Sequence, residues 1–159
     1  MLFRSLRQEG HSRGIPKDAL VDGDATQLAY SAGSFDLVCA FSVLHHIPKP
    51  ELAVREMLRV AKRGIFILDA NNFAQGGRLS RTVKQTLNAL GLWPLANFIR
   101  TRGRGYMESE GDGIFYSYSV FSSYPTIRQN CRSVHLLNIS DGGRNLYRTA
   151  DVVALLGLK

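Results

Sequence analysis

Apolar and polar positions fall in blocks along this chain, and the blocks predict its elements. Between Phe35 and Phe41 the residues Leu37, Val38, Cys39, Ala40 and Phe41 are consecutive and apolar. A half-exposed strand alternates, so an unbroken run predicts a parallel strand covered on both faces. Over residues 50–63, Leu52, Ala53, Met57, Leu58 and Ala61 recur at three- and four-residue steps, the period of one helix face. Pro50 and Glu51 suit the start of that helix, Lys62 and Arg63 its negative end, and Gly64 a left-handed cap. Residues 65–68 then form a second buried strand, so the three blocks predict a βαβ unit with a right-handed crossover.

The flanks are less regular. Residues 1–19 are polar and basic, with Phe3 and Leu6 on one side of a short helix ended by Gly10 or Gly14. Residues 19–21 predict a short strand, and residues 30–34 a turn-rich link. Leu79, Val83, Leu87 and Leu90 recur at helical spacing, with Arg78, Arg81 and Lys84 mainly off that stripe and Gly91 and Pro94 at its end. This is a basic amphipathic helix, and two readings stay open: leucines packed on the domain, or a membrane-surface or lipid-substrate role. Residues 101–119, rich in Gly and Tyr, predict a mobile loop or lid. A short helix over 123–130 with Pro125 in its first turn, a strand over 134–139, a turn at Asp141-Gly142-Gly143 and a strand over Val152–Leu158 complete the chain. The last two strands predict an antiparallel pair.

Composition narrows the class. With 159 residues, 45% hydrophobic and 21% charged, the chain is expected to fold as one domain. No apolar run approaches the ~20 residues that span a bilayer, and the first residues lack the apolar stretch of a secretory signal. Cys39, inside an apolar run, reads as a small buried hydrophobe, and reduced thiols in a cytoplasmic protein are expected. The net charge is +7. Residues 70–107 contain no Asp or Glu, but they hold Arg78, Arg81, Lys84, Arg100, Arg102 and Arg104. Such a segment attracts an anionic partner, whether phosphorylated substrate, nucleic acid or acidic membrane, unless it is simply a solvated basic face. It holds no nucleic-acid motif, so nucleic acid ranks last.

The chemistry sits at the ends of the apolar runs: Asp24 and Ala25, then Ser42, His45 and His46, then Asp69, Asn71 and Asn72. Ligands of open α/β sheets bind just beyond the carboxyl ends of the strands. One histidine can act as general base, because its unperturbed pKa lies near neutrality; the other reading has one histidine packing or capping a helix start. No metal site is expected, because adjacent side chains diverge and no third ligand is spaced nearby. Asp24 also reads as a turn or capping residue, and Phe41 as ordinary core.

The order GDATQLAY, SFDLVCAFSVLHHI, PELAVREMLRVAKRG, IFILDA resembles the middle of class I S-adenosylmethionine-dependent methyltransferases of the small-molecule type. Their pattern is an acidic-small pair, an aromatic-Asp-aliphatic strand, a Leu-His-His end and a Glu-x-x-Arg-Val helix before a Gly. The resemblance implies an α/β fold: an incomplete Rossmann-like sheet, helices on both faces and an antiparallel C-terminal strand pair. It implies S-adenosylmethionine as cofactor, with Asp24 accepting from the adenine amino group, the Ala25 N–H on a ring nitrogen, and Phe41 and Ser42 at the methionine portion. His45 and His46 are the expected catalytic residues; Asp69, Asn71, Asn72 and Tyr106 are the expected substrate contacts. The family's glycine-rich loop and the acidic residue that ends its second strand have no counterpart in this sequence. The expectation is a single truncated methyltransferase-like domain over residues 1–159, with 71–131 a substrate-binding insertion or lid. The edge of the strand at 35–41 would then be unpaired and open to another chain, a second copy included. The implied activity is methyl transfer to an oxygen or nitrogen of a small-molecule, anionic or lipid-linked acceptor. Its rivals are a non-catalytic or partner-dependent module and an anion- or RNA-binding domain.

Overall fold

The computed structural model describes residues 9–139 and 145–159; the expected helix with Phe3 and Leu6 and the turn at 141–143 lie outside them. Strands β1 (Phe35–Phe41) and β2 (Ala61–Ala70) run parallel, with helix α1 (Pro50–Val60) between them in the chain. Strand β6 (Val152–Leu158) lies antiparallel to β2, and β5 (Ser133–Asn138) antiparallel to β6, giving the order β1-β2-β6-β5. The α/β class, the βαβ unit and the antiparallel C-terminal pair are as expected. After β2 come α2 (Arg78–Ala89), α3 (Trp93–Arg100), a hairpin of β3 (Tyr106–Ser109) and β4 (Gly113–Tyr116), and α4 (Val120–Asn130).

The core lies between the sheet and the pair α1 and α4. Ala53, Val54, Met57 and Leu58 of α1 and Val120 and Ile127 of α4 meet Ile65, Ile67, Val153 and Leu155 of the sheet. Both of these helices pack on one face, where the expectation was helices on both. That difference explains a second one. In β1, Ala40 is buried and Val38 half-buried beneath α1, while Leu37, Cys39 and Phe41 point the other way and are exposed. The unbroken apolar run therefore has one covered face, and Cys39 is not a buried hydrophobe. β1 pairs only with β2, so its other edge is open among the described residues.

Three boundaries differ from the sequence pattern. α1 ends at Val60, and Ala61 is already extended (φ −79°, ψ 132°), so Lys62 and Arg63 are exposed strand residues. Gly64 is no helix cap: a Cβ there would stand 2.6 Å from the carbonyl oxygen of Gly157 on β6. The close approach of two strands, rather than a left-handed turn, requires the glycine. Residues 19–21 form no strand; a 3-10 turn spans Lys17–Ala19. The Asp24 carboxylate then accepts from the Thr26 N–H (2.8 Å) and hydroxyl (2.7 Å), which turns the chain at once. Finally, Pro125 lies inside α4, not in its first turn.

The Glu-x-x-Arg-Val motif has a visible task. Glu56 accepts the Leu28 N–H (2.8 Å) and pairs side-on with Arg59 (2.7 Å on both oxygens). Arg59 also donates to the carbonyls of Leu28 (2.9 Å) and Tyr30 (2.7 Å). The pair clamps the link at 28–30 onto α1. It holds the Glu56 carboxyl down at about 2, chiefly through the Arg59 hydrogen bonds.

Candidate active site

Beyond the carboxyl ends of β1 and β2 lies an open cavity of about 640 Å³. Ser42, His45, Ala70, Asn72, Lys84 and Arg100 line it from the sheet and α2–α3 side, and the β3–β4 hairpin closes over it with Ser109, Asp112, Phe115 and Tyr116. Ser42 has φ +47°, a left-handed conformation that side chains rarely adopt. Its N–H reaches the Leu68 carbonyl (2.7 Å), so the strained turn is anchored where β1 ends. Strain of this kind concentrates at ligand sites.

The chain then makes a 3-10 turn, Leu44–His46, and Asp69 holds it. Asp69 is wholly buried at the end of β2. One carboxylate oxygen accepts the N–H groups of Val43 (3.1 Å) and Leu44 (2.8 Å). The other accepts the Ala70 N–H and the His45 Nδ1–H, each at 2.6 Å. Because a carboxylate only accepts, Nδ1 carries the proton and the Nε2 of neutral His45 keeps its lone pair. His46 is fixed the same way: its Nδ1–H donates to the Ile114 carbonyl (2.7 Å), which also only accepts. The hydrogen bond to Asp69 is the main cause that raises the His45 pKa above its ordinary value; burial opposes it, and the charges of Asp69 and Asp112 add to the rise.

The two histidine rings do not diverge. Their centroids are 4.0 Å apart. Asp112 at the hairpin tip stands 3.6 Å from the Nε2 of His45 and 3.5 Å from that of His46. These three donors lie within 4.8 Å of one another, the types and spacing that could hold a divalent cation. The grounds for expecting no metal, diverging rings and no third ligand, are thus not met, because the fold brings in Asp112 from 66 residues away. Without a cation, Asp112 pairs with either ring only when that Nε2 carries a proton, because a carboxylate and an imidazole lone pair both accept.

Lys84 faces the same cavity. Its ammonium donates to the Asn72 carbonyl, and burial, then the nearby Arg100 charge, lower its pKa. Sequence reasoning missed Asp112 and Lys84 as site residues. The only signal for Lys84 was the acid-free stretch around it, and Asp112 had none.

The expected site residues separate into groups. Ser42, His45 and Asn72 line the cavity; Asn72 also donates to the Ser117 hydroxyl (2.8 Å). His46 is beside them on the 3-10 turn. Asp69 and Asn71 are enclosed and hold structure. The Asn71 amide donates to the carbonyls of Leu146, Tyr147 and Ala150 (3.0–3.2 Å), and its oxygen accepts from Ser119 (3.0 Å). Direct substrate contact is therefore open to Asn72 but not to Asp69 or Asn71. Tyr106 stacks edge-on against Tyr116 (6.1 Å) and lies 5.5 Å from the Arg104 guanidinium, behind the lining residues. Asp24 and Ala25 stand apart from the cavity lining, with Asp24 engaged in its own turn. Phe41 is exposed at the open edge, against Phe66.

Comparison with known proteins gives relatives of this fold. Residues 2–68 match the family model described as a methyltransferase domain. Norajmaline N-methyltransferase of Rauvolfia serpentina is 39% identical over 54 residues, which are 33% of this chain and 18% of that enzyme. A Pyrococcus horikoshii protein superposes with a TM-score of 0.55 at 12% identity, covering 99% of this chain and 66% of that one. The YcgJ protein of Bacillus subtilis gives 0.52 at 16%, over 96% and 75%. A Methanosarcina mazei S-adenosylmethionine-dependent methyltransferase gives 0.50 at 16%, over 86% and 65%. The chain thus spans less than a fifth of the curated relative and under two thirds of the last structure. Its N-terminal segment is similar to a methyltransferase domain and its fold is that of these structures, a likeness that implies S-adenosylmethionine as the cofactor. The cavity has room for the methionine end of that cofactor, beside the Ser42 hydroxyl and the small wall at Ala70.

Proposed function

We propose that this domain serves S-adenosylmethionine-dependent methyl transfer to an oxygen or nitrogen of a small-molecule acceptor carrying an anionic or lipid-linked group. The observation that carries the reading is the pair of buried Asp69 with half-buried His45, whose ring lines the cavity with Ser42 and Lys84. The cofactor would supply an activated methyl group, so this chain need only bind, orient and deprotonate. His45 takes the acceptor's proton at Nε2, and Asp69 holds the tautomer and favours the imidazolium that forms. Asn72 orients the acceptor. Lys84 and Arg100 bind its anionic group. The hairpin excludes water, with Asp112 pairing the protonated rings.

The test is transfer of labelled methyl from S-adenosylmethionine to hydroxyl and amine acceptors with and without a carboxylate or phosphate. His45→Asn should lower kcat by about 10²–10⁴, the worth of a positioned base, with KM little changed. Lys84→Met should raise KM for anionic acceptors alone. Equal kcat in His45→Asn would remove the base. A second reading, a partner-dependent module, is favoured by the open edge and exposed face of β1. It predicts transfer only after a second chain, or a second copy of this one, is added. No cytoplasmic address follows from the structure; none of the described helices is long and apolar enough to cross a membrane.

A further inference from the structure

Helix α2 lies on the domain by its polar side. Lys84 reaches the Asn72 carbonyl, Gln85 donates to the carbonyls of Phe73 and Arg148 (both 3.0 Å), and Asn88 donates to the Tyr147 hydroxyl (3.1 Å). No residue of α2 or α3 is buried. Of the apolar stripe, which the sequence left open between packing on the domain and a membrane-surface role, Leu79 (79% exposed), Val83 and Leu90 (65%) face out and Leu87 is half-buried. α3 extends it with Leu95, Phe98 and Ile99, the last 68% exposed. An amphipathic helix docked polar side inward leaves its apolar face to something else, since contiguous apolar patches of this kind mark interaction surfaces.

Charge says what covers it. The acid-free stretch puts Arg78 and Arg81 on α2, Arg100 at the end of α3, and Arg102 and Arg104 just after it. An apolar face rimmed by cations alone suits a sheet of anionic headgroups over acyl chains better than a protein core. A third observation links the patch to the site. Leu79, Val83, Leu87, Trp93 and Ala96 line a groove of about 470 Å³ between α2 and α3, and Ser80, Lys84 and Arg100 belong both to this groove and to the active-site cavity.

We infer that α2 and α3 seat this domain on an anionic bilayer surface. Leu79, Leu90, Leu95, Phe98 and Ile99 enter the acyl boundary. The arginines pair with lipid phosphates and carboxylates. The groove between the helices then opens from the membrane into the cavity, a route for an amphiphilic acceptor whose anionic head passes Lys84 and Arg100. The docking does not depend on methyl transfer, whereas the route rests on that reading.

The test is co-sedimentation of the chain, without cofactor, with vesicles of phosphatidylcholine alone or with phosphatidylserine added. Trp93, the single tryptophan, reports insertion through quenching by brominated lipid. Binding to the phosphatidylserine vesicles is expected, with quenching, and at least tenfold weaker binding to phosphatidylcholine. The double substitution Arg78→Gln, Arg102→Gln should weaken binding about 25-fold, at roughly fivefold per surface arginine. Ile99→Glu should abolish quenching and leave the melting temperature unchanged, because the side chain touches solvent. Val21→Glu, an exposed apolar site elsewhere, should change nothing. Equal binding to both vesicle types, or binding insensitive to Ile99→Glu, would overturn the inference. So would a soluble dimer that Ile99→Glu dissociates, which would assign the face to a second copy. Lost methyl transfer with vesicle binding intact would overturn the proposed function and leave the docking standing.

Discussion

Replacing Asp69 by Asn removes one charge and almost no volume, so its effect isolates what the carboxylate does. The aspartate accepts from four donors: Val43 N–H, Leu44 N–H, Ala70 N–H and His45 Nδ1–H. An asparagine has one acceptor oxygen and a donor amide. With the oxygen toward Val43 and Leu44, the amide faces Ala70 N–H and leaves that donor orphaned; the opposite orientation orphans two. The cheaper arrangement costs about 1–3 kcal/mol for a buried unsatisfied N–H. For a chain of this size each kcal/mol moves Tm by roughly 2–4 °C, so Tm should fall by about 2–12 °C. The same arrangement offers the His45 ring a donor, which drives its proton from Nδ1 to Nε2. The lone pair beside the cavity is lost, and transfer should fall by about 10²–10⁴. Thermal unfolding reads the first effect, and the ring nitrogen chemical shifts read the second directly. An unchanged melting temperature together with an unchanged tautomer would refute the reasoning.

Other outcomes follow from the same geometry. The raised His45 pKa means that its stabilising contribution is whole below the unfolded value near 6.5 and is lost as pH rises through the higher folded value. The neutral ring is the active form, so the transfer rate should rise with pH through that folded value, and a pH–rate profile in Asp69→Asn should shift its limb downward. The depressed Glu56 carboxyl works in the other sense: the clamp is whole above about 4.5 and fails as pH falls through about 2. Hydrogen exchange at the Leu28 amide should accelerate over that window, and flat exchange would contradict the clamp. Gly64→Ala drives a Cβ to 2.6 Å from the Gly157 carbonyl and should cost about 1–3 kcal/mol, read as a lower urea midpoint. Transfer should survive exhaustive chelation, because a proton on a ring Nε2 can bridge it to Asp112 in place of a cation; loss on chelation with recovery on a divalent metal would assign the three donors to a metal.

What could be read from the chain was what neighbouring residues decide together. The β1 run, the α1 face and the terminal strand carry their pattern within seven to eleven residues, and each forms close to its expected bounds. The boundary of α1 was misread because Lys62, Arg63 and Gly64 fit a helix end locally, while pairing of Ala61 with β1 and of Gly64 with β1 and β6 draws the segment into a strand. Exposure was illegible for a related reason. Five apolar residues in β1 state that a face is available for burial, not that a helix lies over it. The leucines of α2 show the inverse: their spacing gave the helix, but the hydrogen bonds of Lys84, Gln85 and Asn88 to distant carbonyls decided which way it faces. In the site, His45 and Ser42 were marked by their place after a strand. Asp69 was also marked, yet its burial turns it from a substrate contact into the group that positions His45. Asp112 and Lys84 reach the cavity through the hairpin and α2, contacts no short pattern announces.

Titration calorimetry of this chain with S-adenosylmethionine tests the central claim most directly. The account predicts a saturable heat that S-adenosylhomocysteine competes away. The absence of any heat at millimolar cofactor would contradict it and leave a methyltransferase-like module that does not hold the cofactor on its own.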